Sequence, residues 1–162
     1  MSASDFYPYT LVEYSDQYQD QLIDMLARIY AEYDQVIELE TLDSDLLEIK
    51  TQYNSPSCFE LLLDDGKLVA SVAVKIALGK IELKRVFVDP GYRLQGLGVK
   101  LSDWAFVYAK EQGCEYIDIW SDTLFTKAHQ LYQKMGAEKL DETRNLGGAN
   151  DIEEQHFRKD LS

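Results

Sequence analysis

Arg93, Gly96 and Gly98 stand directly behind an apolar run, Val86-Phe87-Val88, that breaks at Asp89-Pro90-Gly91. Residues of these types in this order can cradle a phosphate. Glycines let the backbone approach a ligand closely, and the first free N–H groups of a helix point at an anion. The stretch through Leu101 therefore predicts a nucleotide-like or coenzyme-like phosphate ligand. It is not the G-x-G-x-x-G dinucleotide fingerprint, and no G-K-[ST] follows to make a Walker loop. A strand-to-helix turn that needs small residues for packing is the plainer use of the same glycines.

Such a loop works only if a strand delivers it and a helix leaves it. Ile81–Val88 reads as the strand, and Leu97, Leu101, Trp104, Ala105 and Tyr108 recur at helical spacing until Gly113. Upstream, Tyr9–Tyr14 alternates as a first strand. Leu22, Met25, Leu26, Ile29, Tyr30 and Tyr33 then line one face of a helix from Asp16 to Tyr33. Leu42, Leu46, Ile49 and Tyr53 predict a second, shorter helix, capped by Thr41 or Asp43 and stopped at Asn54-Ser55-Pro56-Ser57. Cys58–Leu63 meets Leu68–Leu78 across the hairpin signal Asp64-Asp65-Gly66-Lys67, and Leu78-Gly79-Lys80 turns into Ile81–Val88. Tyr116–Trp120 is a fifth strand. Phe125, Ala128, Leu131, Tyr132 and Met135 form a helical stripe closed by Gly136, and Ala137–Arg144 pairs with Glu153–Leu161 around the loop Asn145–Asp151. The order β-α-α-β-β-β-α-β-α-β-β describes an α/β fold, a mixed sheet flanked by helices. With no repeat, low-complexity tract or linker, residues 1–162 read as a single domain.

The chain carries 46% hydrophobic and 28% charged residues, the balance of a soluble globular protein. Met1–Leu11 has no charged-then-apolar leader, and no apolar run approaches membrane-spanning length. Cys58 and Cys114 lack metal-ligand spacing and fit a reduced, cytoplasmic compartment. His129 and His156 are too few and too scattered for a zinc site, so no metal is expected. The net charge of −13 is concentrated at the front: −11 in residues 1–60, zero in 61–120 and −2 in 121–162. That acidic third disfavours nucleic acid and anionic membrane surfaces as partners. It is either a solvated acidic face or an attractor of a cationic substrate.

Arg93-Leu94-Gln95-Gly96-Leu97-Gly98, behind a strand and opening a helix, resembles the Arg/Gln-x-x-Gly-x-Gly/Ala motif of the GNAT superfamily of acetyl-CoA-dependent N-acyltransferases. The run Ala128-His129-Gln130-Leu131-Tyr132-Gln133-Lys134-Met135-Gly136 is similar to that family's A-x-x-[LF]-Y-x-x-x-G segment, and the element order matches over nearly the whole chain. The resemblance implies a sheet splayed between Ile81–Val88 and Tyr116–Trp120, with acetyl-CoA in the gap. Val86, Phe87 and Val88 would pair with the pantetheine arm. Arg93, Leu94, Gln95, Gly96, Leu97, Gly98 and Val99 would hold the pyrophosphate, and Phe125 and Ala128 would flank the coenzyme. Three positions depart from the family pattern: Phe125 stands where many relatives carry asparagine, Ala137 where phenylalanine is common, and Leu94 where glycine is frequent.

The same resemblance assigns two catalytic roles. Tyr132 corresponds to the tyrosine that protonates the departing thiolate, the reading its place in the motif favours over a packing role in the apolar stripe with Ala128 and Leu131. Glu82, eleven residues before Arg93, corresponds to a base that accepts the amine proton, or else to a strand carboxylate paired with Lys84 or Lys75. His129 reads as a surface or packing histidine and Cys114 as a small apolar residue. The implied function is acetyl transfer to a primary amine of a small molecule or peptide, by direct attack in a ternary complex. A non-catalytic acyl-CoA-binding sensor or regulatory module is the alternative. The family also allows a homodimer. Tyr30–Leu42 and Asn145–Asp151 would form the acceptor pocket, where Tyr30, Tyr33, Asp34, Glu38 and Glu40 suit a cationic amine.

Overall fold

Three consecutive leucines, Leu61, Leu62 and Leu63, are all buried, although neighbours on a strand point to opposite faces. The strand that carries them must therefore be covered on both sides. The computed structural model describes residues 3–162; Met1 and Ser2, at the head of the leading segment read above, lie outside the described residues. Seven strands form one sheet: β1 (Thr10–Glu13), β2 (Cys58–Asp64), β3 (Lys67–Ala77), β4 (Lys80–Val88), β5 (Tyr116–Asp122), β6 (Glu138–Gly147) and β7 (Ile152–Asp160). Their spatial order is β1-β2-β3-β4-β5-β7-β6, antiparallel except between β4 and β5.

Helix α1 (Gln19–Ala31) covers one face, with Leu22, Met25, Leu26 and Ile29 at most 3% exposed. Asp20 in its first turn and Arg28 in its last complement the helix dipole. These side chains pack with Leu46, Ile49, Tyr53, Phe59, Leu61 and Leu63, each large apolar group contributing about 2 kcal/mol by burial. Helices α3 (Leu97–Glu111) and α4 (Thr126–Lys134) cover the other face, where Leu101, Ala105 and Phe106 meet Leu62, Val72, Leu83, Ile119 and Phe157. Among the described residues no helix is long and apolar enough to cross a membrane.

The expected element order and mixed sheet are observed, and one element differs in kind. The stripe Leu42, Leu46, Ile49, Tyr53 is a 3-10 turn at Ser44–Leu47 followed by the single-turn α2 (Ile49–Gln52). Asp43 does not cap it. Its carboxylate accepts instead from Tyr30 Oη (3.0 Å), the Glu38 amide (2.7 Å) and Arg85 Nη1 (3.1 Å), so tertiary partners outbid the local helix start.

Candidate active site

β4 and β5 pair at only two positions, Glu82 with Asp118 and Leu83 with Ile119. Beyond them β4 follows β3 as far as Val88, while β5 follows β7 as far as Asp122. The two strands therefore part, and the β5-facing backbone edge of Val86–Val88 has no strand partner. A cleft of about 190 Å³ opens at the parting, and Glu82, Val86, Phe87, Phe125, Ala128 and Tyr132 all line it. Six of the residues singled out in the sequence thus meet in one place. A bulge in β4 shapes its wall: Lys84 to Phe87 spans three steps where Ala73 to Ser71 spans two. Arg85 sits there at a φ of +55°, and Ser71 Oγ donates to its carbonyl at 2.7 Å.

The glycine loop leaves the open end of β4. Gly96 adopts a φ of +75° at the N-cap of α3, a conformation that suits glycine, and Leu94 precedes it at +64° with its side chain fully exposed. The first paired amide of α3 is that of Lys100, to Gly96 O at 3.1 Å. Leu97, Gly98 and Val99 are therefore left with amides that have no acceptor within the helix. A Cβ on Gly98 would meet only Leu131 Cδ2, at 3.7 Å. The Leu97 side chain points into the core, whereas Gln95 Oε1 accepts from Tyr9 Oη at 2.6 Å. The Arg93 guanidinium is bound on both sides by Glu32 of the α1 end (2.7 and 2.8 Å), with Nε donating to Val88 O at 3.2 Å. That bond to Arg93 holds Glu32 below its usual carboxylate range.

Tyr132 is 7% exposed in the cleft wall, 6.1 Å from the Phe157 ring between centroids, and its hydroxyl bonds to no described residue. Burial pushes this phenol up to about 12, so it keeps its proton at neutral pH. Glu82 stands one rung before the last β4–β5 pair, 3.9 Å from Lys84 Nζ and 3.9 Å from Arg144 Nη1. Lys75 is opposite Glu82 in register, but its ammonium binds the Gln52 carbonyl. Phe125 packs against Tyr33 with centroids 4.7 Å apart. His129 hydrogen-bonds the Asp122 carbonyl at 3.0 Å and leans on Phe157, the packing histidine expected.

The structure adds residues that the sequence reading did not single out. Arg85, turned by the bulge, binds Asp43 (3.1 Å), Asp45 and Tyr30 Oη (3.0 Å) beneath α1. Burial raises Asp45, but Arg85 outweighs it and holds this carboxyl below its usual range. Arg144 on β6 binds Glu154 at 2.8 Å and lies 4.4 Å from the centre of the Trp120 ring. Burial raises Glu154 above the usual carboxylate range against that pull. The segments Tyr30–Leu42 and Asn145–Asp151 come together. Asn150 bonds both the amide (2.9 Å) and the carbonyl (2.7 Å) of Val36, and the Ala149 amide donates to Glu38 at 3.0 Å. Only the asparagine-rich loop could have hinted at this latch. The bulge and the cross-strand register that place Arg85 and Arg144 have no local signature.

Comparison with known proteins accords with this geometry. The family model described as acetyltransferase (GNAT) family matches residues 20–137. N-acetyltransferase 8 of Homo sapiens is 29% identical over 107 residues, 61% of this chain and 47% of that protein. The chain spans about half the length of the curated relatives it matches, or less. Among solved structures, a GNAT-family acetyltransferase of Staphylococcus aureus Mu50 superposes with a TM-score of 0.81 at 24% identity, covering 95% of this chain and 99% of that one. The yncA protein of Salmonella typhimurium, a putative acetyltransferase solved with acetyl-CoA, superposes at 0.71 and 12% identity over 95% and 94% of the two chains. By its motif, its parted sheet and the family model that spans most of its length, this chain belongs to the acetyltransferase (GNAT) family.

Proposed function

We propose that this single-domain chain acts in the cytoplasm and transfers an acetyl group from acetyl-CoA to a primary amine of a small molecule or peptide. The amine attacks directly within a ternary complex. The observation that carries this reading is the parting of β4 from β5 after Leu83, directly below the glycine loop. The residues present fit the coenzyme. The β5-facing edge of Val86, Phe87 and Val88, which lacks a strand partner, suits the pantetheine amides, and the free amides of Leu97, Gly98 and Val99 suit a pyrophosphate. The Salmonella neighbour, with acetyl-CoA in the same fold, supports the assignment.

Acetyl-CoA supplies an activated acetyl thioester. Val86 to Val88 align it, and one of their N–H groups can face the carbonyl oxygen as negative charge develops there. Glu82 takes the proton that the attacking nitrogen loses as the new C–N bond forms. Tyr132 gives its phenolic proton to the sulfur as the C–S bond breaks, and solvent restores it. Positioning of the two reactants supplies much of the acceleration.

The test is calorimetric titration with acetyl-CoA, for the wild type and Gly96→Glu, with thiol release followed against a panel of amines. Binding lost in Gly96→Glu and amine-dependent thiol release support the reading, and Tyr132→Phe then lowers turnover about 100-fold while the coenzyme still binds. Binding without release from any amine establishes the sensor alternative instead. Absence of binding removes the cradle assignment.

A further inference from the structure

α1 and α2 cover only the β1–β4 part of their face of the sheet. The apolar cluster beneath them contains no residue of β5, β6 or β7. On β5, Ile117 and Ile119 point to the α3 side, so Asp118, Trp120 and Asp122 point to the bare side, beside the cleft. Two carboxylates from different strands meet there. Glu82 of β4 and Glu154 of β7 have side chains only 14% and 16% exposed. The Arg144 guanidinium lies between them, 3.9 Å from Glu82, 2.8 Å from Glu154 and 4.4 Å from the Trp120 ring centre.

A cation held by two carboxylates over an indole ring, in the wall of an acceptor cleft, has the environment that a charged substrate group requires. Charge accounting around the cleft agrees. Asp43 is matched by Arg85, and Asp122 accepts from Gln35 Nε2 (2.8 Å) and the Leu124 amide (2.9 Å). Glu82 and Glu154 are left to Arg144 and to Lys84, the latter at 3.9 Å from Glu82. With Arg144 swung out, this wall carries an excess of negative charge. Arg144 is also placed to swing. It lies on the edge strand β6, whose register with β7 slips on both sides of it, and its side chain remains 36% exposed.

We propose that the acceptor amine carries a second positive charge, and that this charge sits against Glu154 and Trp120 in the place now held by the Arg144 guanidinium, which leaves Glu82 to the reacting nitrogen. Arg144 is then a resident competitor for the acceptor. Glu154 is the residue that selects a doubly cationic amine over a neutral-tailed one. An acceptor with a carboxylate tail is disfavoured, because it would meet two carboxylates whose arginine is already engaged. The inference rests on the acetyl-transfer reading for the identity of the cleft, and binding tests it independently of turnover.

The experiment is calorimetric titration of putrescine, butylamine and γ-aminobutyrate into the CoA-saturated protein, for the wild type, Glu154→Gln and Arg144→Gln. In the wild type putrescine binds about tenfold tighter than butylamine. Glu154→Gln brings the two within about threefold, whereas Arg144→Gln widens the gap by about fivefold through removal of the competitor. Opposite shifts in the two variants cannot both come from damage to the fold. Absent putrescine binding, or equal affinity for putrescine and butylamine, overturns the proposal. So does tightest binding of γ-aminobutyrate with its loss in Arg144→Gln, which makes Arg144 an anion ligand. Putrescine binding without thiol release leaves this seat standing and removes acetyl transfer. Thiol release at equal KM for putrescine and butylamine does the reverse.

Discussion

Glu82 lies where a base for the proposed transfer must lie, at the fork of β4 and β5, and it faces two cations at 3.9 Å instead of a close partner. Neither contact is short enough to lock the carboxylate away from an incoming amine. Glu82→Gln is expected to lower kcat/KM about 100-fold at pH 7. The deficit should shrink as pH approaches about 10, where an alkyl amine loses its proton unaided. A deficit constant across a pH–rate profile refutes the base role. At this scale the sequence was informative where the chemistry is local. Gly96 needs its left-handed backbone because the turn into α3 demands it, and that demand is written in the motif itself. Arg85, Arg144 and Glu154 gave no signal, because their meaning depends on a bulge and on which strands lie side by side.

The elements around the site are joined by charge. Arg28 and Glu32, one turn apart on α1, face Asp89 and Arg93, which are four positions apart on the loop, at 3.0 Å and 2.7 Å. Glu32 therefore competes with any pyrophosphate for Arg93. Glu32→Gln is expected to tighten acetyl-CoA binding about threefold at low salt, an advantage that fades as ionic strength rises. Unchanged or weaker binding in calorimetry contradicts this competition. The latch between the β6–β7 loop and the α1–α2 loop is equally specific. Gly148 has a φ of +76°, and a Cβ there would lie 2.7 Å from Glu38 Oε2. Gly148→Ala should cost about 1–2 kcal/mol in urea denaturation and raise the acceptor KM with little change in coenzyme affinity. Equal losses in both affinities would place the loop outside the acceptor side. The helices α1, α3 and α4 were legible from their apolar spacing. The 3-10 turn before α2 was not, because Asp43 is drawn to Arg85 and Tyr30 from elsewhere in the chain.

Over the whole molecule, ion pairs and buried carboxyls pull stability in opposite directions with pH. Asp45, Asp89 and Asp118 lie below their usual range because their partners outweigh burial, so they stabilise above about pH 4 and lose that contribution as pH falls. Glu60 behaves oppositely. Burial first, and then Glu13 directly across the β1–β2 pair, push it up to about 7. The folded protein then holds a proton that the unfolded chain has released, so stability falls as pH rises from about 4.5 to about 7 and levels off beyond. Stability should peak near pH 5. At pH 8, Glu60→Gln should be more stable than the wild type by about 1–2 kcal/mol, a figure reduced for solvent screening at a half-buried site. Urea midpoints measured from pH 4 to 8 check this, and equal midpoints at pH 8 contradict it. By itself the sequence determined the element order, both covered faces of the sheet and the glycine loop, since periodicity and turn chemistry act within a few residues. The tertiary structure alone decided where β4 leaves β5, which way Arg85 turns, and that Arg144 lies between Glu82 and Glu154 over Trp120. Those outcomes depend on strand register, and register is settled only when residues far apart in the chain pack together.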